Sequence, residues 1–169
     1  MKLTELFLAE LEREAVGTRK VLARVPEGRF DWKPHEKSMS LGQLSNLVAT
    51  MPSWVVSMVK LDELDFDPPG GSAFEAPKLS TGRDLVEAHD RHVASAREAL
   101  ASTTDAHLMT TWKLLARGNV VSEDPRHIAI RDGVFNHLAH HRGQLTVYLR
   151  LNDEPVPAVY GPSADEGLG

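Results

Sequence analysis

The stretch Phe135-Asn136-His137-Leu138-Ala139-His140-His141-Arg142-Gly143-Gln144-Leu145 holds three of the chain's eight histidines. It lies inside a long amphipathic helix read from about Pro125 to Leu151, opened by Asp124 as cap and Pro125 at the first helical position. His137 and His141 are four residues apart, so their imidazoles leave one helix face a turn apart. That spacing is how a helix offers two nitrogens to one metal ion. Gln144 and Tyr148 continue the same face, and His140 points elsewhere, to a structural or surface role. Arg142 reads as a solvent-facing or subunit-facing charge.

Working outward, three more helical stripes emerge. Leu3, Leu6, Phe7, Leu11, Val21 and Leu22 recur at helical spacing, with Thr4 as the expected N-cap and Pro26 and Gly28 as the stop. Ser40 opens a second helix whose stripe is Leu41, Leu44, Leu47, Val48, Met51, Val55 and Met58, reaching about Leu64. Pro52 falls within it and predicts a kink or break near Ala49. Ser80 or Thr81 caps a third helix to about Ser102, with Val86, His89, Val93, Ala96 and Leu100 facing the core. The pattern weakens over Leu108 to Val121, where Thr110 to Leu114 reads as a short extended piece and Arg117-Gly118-Asn119 as a turn. Residues 65–79, rich in Pro and Gly, read as a long loop, and residues 152–169 as an irregular tail. The expected architecture is all-α: one four-helix-bundle domain over residues 1–169, with two long connections that permit crossovers.

Composition narrows the function. Hydrophobic residues make up 41% and charged residues 25% of 169, the mixture of an ordinary globular domain. The net charge of -5 and the absence of a basic, aromatic-interleaved run argue against a nucleic-acid binder. No run of 18 apolar residues and no signal-peptide pattern is present, so no membrane partner is expected and a cytoplasmic location follows by default. With no cysteine, a metal must be held by nitrogen and oxygen. The acidic run Asp62, Glu63, Asp65 and Asp67 reads as a solvated end rather than paired catalytic carboxylates.

The segment His137 to Arg150 resembles the last-helix signature of the DinB-like proteins. The resemblance extends to Val25-Pro26-Glu27, Trp32 to Gly42, Trp112-Lys113-Leu114 and Pro157 to Glu166, nearly the whole chain. It implies an up-down-down-up four-helix bundle, a homodimer, and a divalent Ni or Zn ion held by three histidines. Two of those map onto His137 and His141. It also implies kinship with enzymes that use low-molecular-weight thiols, such as bacillithiol S-transferases and mycothiol-dependent maleylpyruvate isomerases.

The third ligand is where the chain departs from the family. The family's second helix reads Leu-Gly-x-Leu-x-x-His, and this chain has Leu41-Gly42-Gln43-Leu44-Ser45-Asn46-Leu47. Leucine has no electron pair to donate, so the metal site is degenerate at Leu47. Asn46 is turned about 100° away and is a poor ligand. His89 is the candidate replacement, set against a plain reading as a buried, hydrogen-bonded core histidine. Three functions stay open: a metal-dependent transferase or hydrolase, with a low-molecular-weight thiol as candidate ligand and His89 or water completing the site; a non-catalytic descendant that lost the metal and binds a small molecule or a partner; and a structural dimer with no small ligand.

Overall fold

Helix α1 (Leu3–Leu22) buries Phe7, Leu11, Val21 and Leu22 at the spacing expected, but Thr4 is not its cap. The helix begins two residues earlier than that cap implies, with Lys2 in the cap position, and its first amides are satisfied from far along the chain. Leu3 N donates to Asp105 Oδ2 at 2.9 Å, and Thr4 N and Oγ1 both donate to Asp105 Oδ1 at 3.1 Å. A carboxylate at a helix N-terminus also opposes the positive end of the helix dipole. The computed structural model from which this architecture is read describes residues 1–71 and 79–167, so the expected loop over 65–79 lies partly outside the described residues.

Pro52 acts where its position predicts. Helix α2 (Leu41–Thr50) ends before it, a 3-10 turn spans Met51–Ser53, and α3 (Trp54–Lys60) resumes. Ser40 caps α2 reciprocally with Gln43: Gln43 N donates to Ser40 Oγ at 3.1 Å and Ser40 N to Gln43 Oε1 at 2.8 Å. Helix α4 (Gly82–Ser102) is capped by Thr81, whose hydroxyl accepts from Asp84 N at 3.1 Å. A single turn, α5 (Asp105–Leu108), follows. The last long helical run is α6 (Arg126–Ile130), a π-helical segment Arg131–Asn136, and α7 (His137–Leu151).

The all-α expectation is overturned between residues 63 and 125. Strands β1 (Glu63–Asp65), β2 (Thr111–Ala116) and β3 (Asn119–Pro125) form a mixed sheet in that order, β1 parallel and β3 antiparallel to β2. The cause is local chemistry. Arg117 and Gly118 both have positive φ, 53° and 75°, which makes the two-residue turn whose twist suits a hairpin. Asp65 holds that turn by accepting from Arg117 N at 3.2 Å and Gly118 N at 2.7 Å, and Asp67 pairs with the Arg117 guanidinium at 2.7 Å. Asp65 and Asp67 of the acidic run thus brace the hairpin turn. Trp112 is buried, and Leu64 and Leu114 pack on the same core, so one sheet face closes the end of the helical layer. Pro125 ends β3, and α6 starts one residue after the expected position.

Two groups of core residues fill the interior. Phe7, Leu11, Val93, Leu100, Trp112 and Phe135 lie in one. Leu22, Leu44, Val48, Leu85, Leu138 and Leu145 lie in the other. Buried cations lock the frame. Arg126, 2% exposed, donates to the carbonyls of Met58 and Leu61, to Thr110 Oγ1 at 2.9 Å and to the Asp62 carboxylate. The expected solvent-facing role of Arg142 is wrong: it is also 2% exposed. It donates to Glu14 Oε2 at 2.7 Å, to Thr18 Oγ1 at 2.9 Å and to the Tyr160 hydroxyl. Tyr160 in turn donates to Glu14 Oε2 at 2.7 Å. As far as residue 167 the tail is irregular but fastened. Val159 sits so close to Gly17 of α1 that a Cβ there would lie 2.8 Å from Val159 Cγ1. Among the described residues, no helix is long and apolar enough to cross a membrane.

Candidate functional site

At the start of α7 the helix delivers His137 and His141 to one place, as their spacing predicts. Their Nε2 atoms are 2.8 Å apart and the ring centroids 4.6 Å apart. Both residues are half-buried. Trp54, at the start of α3, sets its ring 5.6 Å from that of His137. Gln144 joins the group: His141 Nδ1 donates to Gln144 Oε1 at 2.7 Å. The Gln144 amide NH2 donates to His140 Nε2 at 3.1 Å, so His140, although exposed, is linked to the pair rather than turned away from it. Tyr148 is not part of the cluster. Its hydroxyl donates to the Met39 carbonyl at 3.2 Å and its ring meets the edge of Trp32 at 5.5 Å.

The π-helical segment immediately precedes the pair. Such segments shift the backbone ladder by a residue and recur at functional sites. Gly133 within it leaves room for Met58 of α3, whose Cε would stand 2.8 Å from a Cβ at that position. The Gly133 carbonyl lies against the His137 ring and favours its protonated form. Burial outweighs it, and the neighbouring His141 acts in the same sense as burial, so the His137 pKa is lowered.

Two neutral imidazoles bring two ring N–H groups, and two contacts use them: His141 Nδ1 to Gln144 Oε1, and Nε2 to Nε2. With the His141 proton on Nδ1, its Nε2 lone pair faces His137, whose Nε2–H fills the gap. A divalent ion between the two Nε2 atoms would move that proton to His137 Nδ1. Two nitrogens on one tetrahedral Zn stand about 3.3 Å apart, given Zn–N bonds of about 2.0–2.1 Å. The pair would part by about half an ångström to hold it, so as a pair the donors fit the ion.

The remaining histidines do not join them. Leu47 is half-buried on α2, packed against the core group that contains Leu138 and Leu145. His89 faces the core, as its place in the stripe predicts, and is fully buried. Neither of its ring nitrogens makes a hydrogen bond, against the plain reading of a partnered core histidine. The carbonyls of Ala15 and Ala49 approach it and favour the charged ring without closing hydrogen-bond geometry, and burial lowers its pKa to about 4. Among the described residues, no three His, Cys, Asp or Glu side chains come together in a metal-holding group, so His89 is not brought to the pair. Three other histidines bond to backbone: Lys37 N donates to His35 Nδ1 at 3.2 Å, His107 Nε2 lies 2.9 Å from the Val59 carbonyl, and His127 Nδ1 lies 3.2 Å from that of Leu108.

Comparison with known proteins agrees with this framework. The chain is 25% identical over 160 residues to the uncharacterized protein YrdA of Bacillus subtilis strain 168, covering 95% of this chain and 89% of that protein. A DinB-like protein from Bacillus cereus ATCC 10987 superposes with a TM-score of 0.72 at 24% identity, covering 92% of this chain and 97% of that one. The DinB-like protein YjoA of Bacillus subtilis gives 0.69 at 17% identity, over 90% and 96%. The sequence pattern of the DinB family matches residues 1–167, and the chain belongs to that family.

Proposed function

We propose that this DinB-family protein takes one divalent ion, Zn or Ni, at His137 and His141 through two nitrogens only, and therefore weakly. The observation that carries the reading is the convergence of the two Nε2 atoms, 2.8 Å apart on one half-buried helix face. Leu47 supports the weakness, because an apolar side chain stands at the sequence position where the family pattern has its third imidazole. Water or a small ligand would fill the open positions.

The test is calorimetric titration of the tag-free protein with Zn2+. One weak equivalent is expected, abolished in His137→Ala/His141→Ala. Restoring the third nitrogen with Leu47→His should tighten binding roughly 100-fold, on the scale of about 3 kcal/mol per ligand implied by structural zinc sites. An inert wild-type protein, or a Leu47→His variant that binds no more tightly than wild type, would overturn the reading.

A second reading, a transferase using a low-molecular-weight thiol, draws on the partial exposure of the half-buried pair and the ring of Trp54 beside it. A bound divalent ion supplies Lewis acidity to a thiol or water there. Incubating the Zn-loaded protein with a thiol and an electrophile tests it, since thiol consumption at the rate of a His137→Ala control would remove it.

A further inference from the structure

Metal-binding imidazoles need their second nitrogen held by an acceptor, because that contact decides which nitrogen keeps its lone pair. Gln144 occupies this place for His141, one turn further along α7. Its Oε1 accepts from His141 Nδ1 at 2.7 Å. An amide oxygen cannot donate, so the proton of His141 sits on Nδ1 and the lone pair on Nε2, facing His137. The amide is itself oriented. Its NH2 donates to His140 Nε2 at 3.1 Å, and the rings of His140 and His141 stand 4.9 Å apart, edge to face. Rotated by 180°, the same amide would offer its NH2 to His141 Nδ1 and leave the proton on Nε2. His141 would then turn an N–H, not a lone pair, towards His137. One amide torsion therefore decides whether His141 offers its Nε2 lone pair to a cation.

We propose that Gln144 is a positioning residue that sets the tautomer of His141, with His140 orienting the amide. The inference rests on the reading of the pair as a cation site, and its test is built to fail separately. Glutamate at this position is an acceptor in either orientation, whereas leucine is none. In the metal-free, 15N-labelled full chain, NMR of the imidazole nitrogens is expected to show the Nδ1–H form of His141 in wild type and Gln144→Glu. Gln144→Leu should shift it toward the Nε2–H form. In Zn2+ titrations Gln144→Leu should lose about 10- to 100-fold in affinity, with Gln144→Glu at or above wild type. A His141 tautomer unchanged in Gln144→Leu, or a Gln144→Glu variant that behaves like Gln144→Leu, overturns the proposal. Should wild type bind no Zn2+, the cation reading falls, and the tautomer spectra of the metal-free proteins still decide the role of Gln144.

Discussion

Glu14→Leu is expected to lower the unfolding free energy by about 3–5 kcal/mol, the range for removing one partner of a buried ion pair. Arg142 is 2% exposed, and its guanidinium spends its donors on Glu14, Thr18 and Tyr160. Taking away the carboxylate leaves a full charge in the interior and strips the Tyr160 hydroxyl of its acceptor. The loss comes from uncompensated desolvation rather than from the attraction itself. Glu14→Leu/Arg142→Met should therefore recover most of the stability, because two apolar side chains need no partners. Urea unfolding at constant pH measures both. A single variant within about 1 kcal/mol of wild type, or a double variant worse than the single, would show that the pair is not what holds the tail to α1.

The second large effect concerns acid. His89 is fully buried, and its pKa is lowered by burial to about 4 from an ordinary 6.5. A histidine depressed in the folded state binds its proton more tightly when unfolded. Stability is complete above the unfolded value of 6.5 and falls as pH drops towards 4, by up to about 3 kcal/mol. His89→Leu removes that proton linkage together with two ring nitrogens that have no hydrogen-bond partner. It should hold or raise stability at pH 7 and flatten the decline between pH 6.5 and 4. Unfolding midpoints measured across that range settle the matter, and a variant as acid-sensitive as wild type would move the cause to other groups.

The sequence disclosed what is local and periodic. The three-four stripes located α1, α2, α4 and α7, and Pro52 located the break between α2 and α3. The spacing of His137 and His141 placed both rings together. What escaped depends on distant partners. A three-residue strand such as β1 carries no periodicity, and its partner β2 begins nearly fifty residues later. The extended piece and the turn at Arg117-Gly118 were readable, but only β1 and β3 turn them into a sheet. Arg142 looked external because nothing near it in sequence is acidic, and Glu14 meets it from the first helix. His89 was legible as a core position, whereas its lack of a partner was not, since that depends on where the carbonyls of Ala15 and Ala49 come to rest.

The π-helical segment Arg131–Asn136 lies between two anchors on the same helical run. Arg126 ties one end to the carbonyls of Met58 and Leu61, and Arg142 ties the other to Glu14. Each anchor fixes the rotational phase of its own end about the helix axis. One residue more or less turns everything beyond it by about 100°. The wide turn is thus a phase adjuster, and a single-residue deletion within it would leave only one of the two arginines seated. Insertions and deletions are commonly absorbed in loops, but here the length-sensitive position lies inside a helix, one step before the histidines it aims.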